Sequence, residues 1–331
     1  MSIEKVARLA GVSTATVSRV LNGYAGVRPA TRERVLAAIA ASQYQPNLLA
    51  RQLRTAQSRM LLVLVSSIIN PFCSRVVRGI EAEAEAHGYH ILLCNSDSQP
   101  QRESAYLALL SGKIVDGVIT MDAITNLPGL RQMIGDSPWV QCAEGDPDAE
   151  ASSVTIDNQQ AAHEAVAHLA QQRRRRIAMI NGDPRYLYAQ QREVGYRAAL
   201  KVHHLSWSGV EYASDVECEA GYAAMARLLD RADPPDAIFA VSDVLAVGAI
   251  HCIRQRRLRV PQDIAVLGFD GLPWSAMLSP PLSTLEQPMQ QLGVRSVQLL
   301  LQRIRDPRAP HIHEQLSCRL VARASSQLVP D

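Results

Sequence analysis

The sequence predicts an α/β protein in two parts: a small head of three helices with a hinge helix, then a larger body of parallel sheets and helices divided into two subdomains. Charge is uneven, because residues 1–59 hold nine Lys or Arg against two Asp or Glu, giving +7, so the other 272 residues hold −5 of the chain's +2. In the head, apolar residues recur at helical spacing; from residue 60 onward, apolar runs of strand length alternate with amphipathic stretches, as in buried parallel strands joined by helices. A chain of 331 residues suits two or three domains with a large core.

"IEKVARLAGV" spaces Ile3, Val6, Ala7 and Ala10 so that one face of a short helix is apolar. Gly11 permits the positive φ of a tight turn, and Ser13 is a natural N-cap for a second helix. In that helix Val17, Val20 and Leu21 form the inner stripe, while Thr14, Ala15, Ser18 and Arg19 share the outer face. Asn22-Gly23 stops it. "ATRERVLAAIAASQY" supplies a third helix, with Val35, Ile39 and Tyr44 closing a three-helix core around a helix-turn-helix. A small, hydroxyl-rich outer face suits the major groove of double-stranded DNA, where Arg19 can donate two hydrogen bonds to a guanine edge and Thr14 and Ala15 can reach thymine methyls. The competing reading is a helical bundle with a solvated Ser/Thr face, against which stand the glycine spacing, the cap and the local charge.

"YQPNLLARQLRTAQSR" follows. Pro46 ends what precedes it, and residues 47–55 make only about two and a half helical turns, marginal alone in water. Leu49, Ala50 and Leu53 among Arg51 and Arg54 suit a helix that forms when two copies meet on DNA, Leu53 wedging between base pairs in the minor groove and Arg54 near phosphate. An ordinary helix packed on the body is the alternative.

The body runs through "MLLVLVSS", a helix from about Phe72 to His87, "YHILLCNS", a helix over 101–112, "DGVITM", "PWVQCA" and "SVTID". After a helix over 158–172 it restarts with "RIAMING", "DAIFAVSD" and "IAVLGFD". The pattern changes near Asp157-Asn158 and again near Gln287-Pro288, as two similar subdomains joined by crossover segments would require. The expected domains are 1–46 for the head, 47–59 for the hinge and 60–331 for the body, with subdomains of about 60–157 plus 288–317 and about 158–287 plus 318–331. Ligands of open α/β sheets bind beyond the carboxyl ends of strands. That rule places a cleft at Ser67 to Phe72, Asp122, Glu144, Asp183 to Arg192, Ser242-Asp243 and Asp270.

No GxSxG, Walker loop or HExxH is present, and the nine histidines do not cluster with acids or thiols at ligand spacing, so neither catalysis, a metal nor a cofactor is expected. The six cysteines are scattered, as free thiols in a reducing compartment would be. "MLLVLVSSII" is far shorter than the roughly 20 residues of a membrane span, and the N-terminus lacks the apolar core of a signal peptide. A cytoplasmic protein without membrane contact is expected. "QQRRRRIAMI" reads as a solvated turn rather than a second nucleic-acid patch.

Together "VARLAGVSTATVSRVLN", "YQPNLLARQLR", "NPFCSRVVRGIEAEAEAHGY", "VDGVI", "IDNQQAA", "VSDVLAVGA", "VPQDIAVLGFDG" and "PPLSTLEQP" resemble the LacI/GalR family over nearly the whole chain. The resemblance implies a homodimeric transcription factor, commonly a repressor, on a near-palindromic operator, with a periplasmic-binding-protein-like body sensing a small effector; a tetramer is left open. It implies that Thr14, Ala15 and Arg19 read bases, that Thr16 and Ser18 face the DNA backbone, with Asn22 beside them, and that Leu49, Ala50, Leu53 and Arg54 form the minor-groove hinge. In the cleft it implies a stacking role for Phe72, ligand hydroxyls held by Arg192 and Asp270, and a polar contact from Ser242; Cys73, Asp122, Glu144 and Tyr188 complete the candidate set. "STATVSR", "PFCSRVVRGIE" and "PPLSTLEQP" look closest to cytidine-responsive members, so a nucleoside such as cytidine is the expected effector and a pentose or hexose the alternative. The chain departs from the family where Cys73 replaces a usual second aromatic, at Val216, and at Tyr186 and Tyr188, so stacking falls to Phe72, Tyr188 or Trp274. Two other classes compete: a transport solute-binding protein, which has no use for the basic head, and a sugar- or nucleoside-processing enzyme using Asp270, Glu144 and Arg192.

Overall fold

The computed structural model describes residues 2–21, 23–42, 44, 57–121, 130–146, 149–207 and 209–327. The chain divides into two compact units, Met1–Ser58 and Arg59–Asp331.

In the first unit, α1 (Ile3–Ala10), α2 (Thr14–Leu21) and α3 (Pro29–Ser42) enclose Val6, Ala7, Ala10, Val17, Val20, Val35 and Ala38. Ile39 and Tyr44 are only partly buried against that cluster. Gly11 ends α1 at φ 62°, a left-handed conformation that costs a side-chain-bearing residue energy. Ser13 Oγ accepts the Thr16 N–H at 3.2 Å and so caps α2.

The second unit holds two six-stranded sheets. The first contains β1 (Met60–Val65), β2 (His90–Asn95), β3 (Gly117–Met121), β4 (Trp139–Ala143), β5 (Ser152–Ile156) and β11 (His313–Leu316), in the order β11-β5-β4-β3-β1-β2. All of its pairings are parallel. Helices α4 (Pro71–Ala86), α5 (Pro100–Ser111), α6 (Leu130–Ile134) and α11 (Met289–Arg305) accompany it.

The second sheet contains β6 (Ile177–Asn181), β7 (Gly209–Tyr212), β8 (Ala237–Ala240), β9 (Ala265–Asp270), β10 (Ser283–Glu286) and β12 (Arg319–Val321), in the order β12-β10-β9-β8-β6-β7. Its helices are α7 (Asn158–Gln171), α8 (Leu187–Val202), α9 (Cys218–Leu229), α10 (Asp243–Gln255) and a 3-10 turn, Pro273–Met277. Pairing is parallel except between β10 and β12. The chain reaches β12 from β11 in the other sheet, and β12 pairs with β10 running the opposite way. The chain passes between the sheets three times, after β5, after β10 and after β11.

Central strands β1, β6 and β8 are apolar along almost their whole length because both of their faces are covered. The arginine run departs from the expected solvated turn. Arg174 is buried and donates to the Pro261, Gln262 and Asp236 carbonyls, while the backbone N–H groups of Arg175 and Arg176 donate to the Asp236 carboxylate. Its guanidinium anchors the start of β6 to the loop before β9, a tertiary use that local composition does not announce.

Candidate functional site

On the first unit, α2 turns Thr14, Ala15 and Arg19 to solvent, leaves Thr16 and Ser18 half-buried, and buries Val17 and Val20. The Thr16 hydroxyl lies 3.0 Å from Ser13 Oγ and so joins the cap. The Arg19 guanidinium stands 5.9 Å from the centre of the Tyr24 ring. Asn22, Leu49, Ala50, Leu53 and Arg54 lie outside the described residues, as does Asp122 in the body.

Between the two sheets of the second unit lies a cavity of about 430 Å³, within the roughly 300–1,000 Å³ of small-molecule sites. Phe72, Glu144, Tyr188, Arg192, Ser242 and Asp270 all line it. Cys73 does not: it is fully buried in the core, because α4 turns the residue after Phe72 toward β1 and its neighbours. Trp274 packs against the core rather than the cavity, whereas Val216 is part of the lining.

Each side chain is set by its element. Asn70 Oδ1 accepts the Phe72 N–H at 3.0 Å, and Pro71 occupies the first position of α4, so the phenyl ring is delivered at a capped helix start. On α8, Arg192 is buried; its Nε donates to Asn158 Oδ1 at 2.8 Å and its Nη1 to the Val241 carbonyl at 2.7 Å. The guanidinium lies 3.6 Å from the Phe269 ring centre and 4.9 Å from that of Tyr188. Burial lowers its pKa, partly opposed by the Asp270 carboxylate.

Asp270 ends β9 with φ 106°, a strained backbone for a residue with a Cβ, of the kind concentrated at ligand sites. Its Oδ2 accepts the Ser242 hydroxyl at 2.9 Å and its Oδ1 the Gln287 amide at 2.8 Å. Burial pushes its pKa up to about 7 despite the opposing Arg192 charge. Asp243, which the strand-end rule also placed in the cleft, does not line the cavity but is fully buried. It accepts from Thr284 Oγ1, Ser275 Oγ and the Leu272 N–H, each at 2.7 Å, and burial pushes it up to about 6. Among the described residues no hydrogen bond joins Arg192 to Asp270; the two charges face the same cavity without neutralising each other at contact.

Two contacts cross between the walls: the Tyr188 N–H donates to Glu144 Oε1 at 3.4 Å, and the Tyr186 and Ser98 hydroxyls are hydrogen bonded. Tyr186 and Tyr188 stack with ring centres 5.7 Å apart. Sequence reasoning missed Asn158 and Gln287 as site residues, although both stand at the crossovers it located. The signal was available in "IDNQQAA" and "LEQP", where a side-chain amide follows directly on a strand end. Among the described residues no cluster of His, Cys, Asp and Glu could hold a metal ion, and no helix is long and apolar enough to cross a membrane. None of the six cysteines is in a disulfide.

Residues 2–47 match the model of bacterial regulatory proteins, lacI family, and residues 166–326 that of a periplasmic binding protein-like domain. The HTH-type transcriptional repressor CytR of Escherichia coli K12 is 34% identical over 333 residues, covering 99% of this chain and 97% of its own length. The ribose operon repressor of the same organism is 35% identical over 328 residues, covering 98% and 99%. Among solved structures, the lac repressor dimer bound to operator and the anti-inducer ONPF matches with a TM-score of 0.91 at 27% identity over 99% of both chains. A helical reader on the first unit, a ligand-sized cleft in a two-sheet body and full-length similarity agree: the chain belongs to the lacI family of bacterial regulatory proteins, DNA-binding transcriptional regulators with an effector-binding, periplasmic-binding-protein-like body.

Proposed function

We propose that this chain is a cytoplasmic repressor that binds a near-palindromic operator as a homodimer and answers to a nucleoside, cytidine first. Arg19, Thr14 and Ala15 read base edges in the major groove, Thr16, Ser18 and Asn22 meet the DNA backbone, and the 47–59 segment enters the minor groove through Leu53, with Leu49, Ala50 and Arg54 beside it. The observation that carries the effector reading is the placement of Arg192 and Asp270 on one cavity floor with no hydrogen bond between them. Adjacent ribose hydroxyls bridge them, one oxygen accepting from Arg192 and one hydroxyl donating to Asp270. Phe72 and Tyr188 flank a planar base. Ser242 orients the Asp270 carboxylate, and Glu144 receives donors on the facing wall.

Effector closure of the cleft changes the spacing of the paired hinges and so their DNA-bound form. Coupling of this kind is worth about 1–3 kcal/mol, or 5- to 150-fold in operator affinity. Fluorescence anisotropy on genomic duplexes, with and without cytidine, tests the reading. The expected result is one preferred near-palindromic duplex whose affinity shifts within that range; binding equally tight to random duplex sinks it. A free pentose is the second reading, favoured because position 73 faces the core and so supplies no second ring beside Phe72.

A further inference from the structure

The cavity wall is unbalanced in charge. Asp97, Glu144, Asp183, Asp215, Glu217 and Asp270 line it against Arg185 and Arg192. Both arginines are partly engaged by the protein itself. Arg185 grips Asp183 through Nε at 2.8 Å and Nη2 at 2.6 Å, and Arg192 gives Nε and Nη1 to Asn158 and the Val241 carbonyl. Arg102, just outside the wall, is bound to Asp97.

Helix N-termini are the other usual seat of a phosphate, and the protein's own oxygens meet those that open here. Asn70 Oδ1 takes the Phe72 N–H of α4, Glu144 Oε1 the Tyr188 N–H of α8, and Ser242 Oγ the Val244 N–H of α10. Helix α9 opens at Glu217, whose side chain makes no cap hydrogen bond but sets a carboxylate at that helix start, and Glu217 lines the cavity. A phosphate in this cleft finds one amide of each of α4, α8 and α10 already taken and meets excess carboxylate charge, in a partly desolvated space where like charges repel more strongly than in water.

We propose that the cleft selects its effector by charge: it accepts uncharged polyhydroxyl ligands, nucleosides or free sugars, and rejects the phosphorylated forms of the same molecules. This rests on the effector reading above and adds to it the discrimination that separates a salvageable nutrient from the phosphorylated metabolites of the cell interior.

The test is calorimetry on the full-length protein with matched pairs: cytidine and cytidine 5′-monophosphate, adenosine and its 5′-monophosphate, ribose and ribose 5-phosphate. The phosphorylated member is expected to bind at least about 100-fold more weakly, the gap closing about tenfold in the Asp215→Asn, Glu217→Gln double variant and narrowing with added salt. A phosphorylated ligand that binds within about threefold of its parent overturns the proposal. A ligand-free readout separates this claim from the effector reading. In a Tyr186→Trp variant, with the parent's tryptophan signal subtracted, iodide should quench the new indole far less than neutral acrylamide does, relative to free tryptophan amide. The double variant should restore iodide quenching. Iodide access equal to that of acrylamide in the Tyr186→Trp protein removes the charge barrier; absence of binding by every pair removes the effector reading instead.

Discussion

Asp270 and Gln287 are joined at two points: Gln287 Nε2 donates to Asp270 Oδ1 at 2.8 Å, and the Gln287 N–H donates to the Asp270 carbonyl at 3.0 Å. Gln287 stands between β10 and α11, where the chain leaves one sheet for the other. The carboxylate on the cavity floor is therefore clamped to a crossover, and whatever holds Asp270 also holds a segment that joins the two sheets. Gln287→Ala should weaken cytidine binding by about 1.5–3 kcal/mol, the worth of a hydrogen bond to a charged group, and Asp270→Ala should abolish it. Calorimetry decides, and an unchanged titration in both variants would move the site elsewhere.

The raised pKa of Asp270 sets a pH dependence. A ligand hydroxyl that donates to this carboxylate needs it ionised, so affinity should fall as pH drops below about 7, by up to about tenfold per unit. In the ligand-free protein the sign of the stability effect is the reverse of the usual carboxylate case. Between its ordinary value of 3.8 and about 7, the folded state keeps a proton that the unfolded chain has released, so stability declines as pH rises through that window. Thermal unfolding across pH 4–8 should show a shallower decline in Asp270→Asn than in the parent, and parallel curves would count against the shift.

Asn158 is the acceptor for Arg192 Nε at 2.8 Å and in turn donates to Gln191 Oε1 at 3.0 Å. Asn158→Ala leaves a buried guanidinium N–H without that acceptor, at a cost of about 1–3 kcal/mol in stability. Asn158→Asp should retain the hydrogen bond and much of the stability. Urea unfolding of both variants measures the difference; equal destabilisation would show that the amide matters for a reason other than Arg192.

Arg19→Ala should lose about 1–3 kcal/mol at a single operator base pair and little elsewhere. Anisotropy against a set of singly substituted duplexes maps the position. A uniform loss over all of them would assign Arg19 to phosphate instead.

Gly11→Ala places a Cβ at φ 62° in the α1–α2 turn and should cost about 1–2 kcal/mol. No heavy atom lies within 4 Å of where that Cβ would stand, so the penalty is conformational rather than steric crowding. Denaturant melts of the protein, read in the far ultraviolet, should show the earlier transition; an unchanged midpoint would mean the turn relaxes.

The sequence alone determined the helix-turn-helix, since Ala7, Gly11, Ser13, Val17 and Val20 interact within one short local motif whose spacing is itself the structure. It likewise determined the α/β alternation, because strands covered on both faces must be apolar from end to end, and it located Ser242 and Asp270 at strand ends and the segments after strands that hold Phe72 and Arg192. Tertiary structure decided which of these share a cavity, because Phe72 stands on α4 beside the first sheet and Asp270 at the end of β9 in the second. It sent Cys73 into the core, sank Arg174 against the β9 loop and made β12 antiparallel, and it brought Asn158 and Gln287 onto the two charged groups of the floor. Periodicity reports which face of an element is buried. The partner of a buried polar group is set by distant chain segments, and no local pattern encodes it.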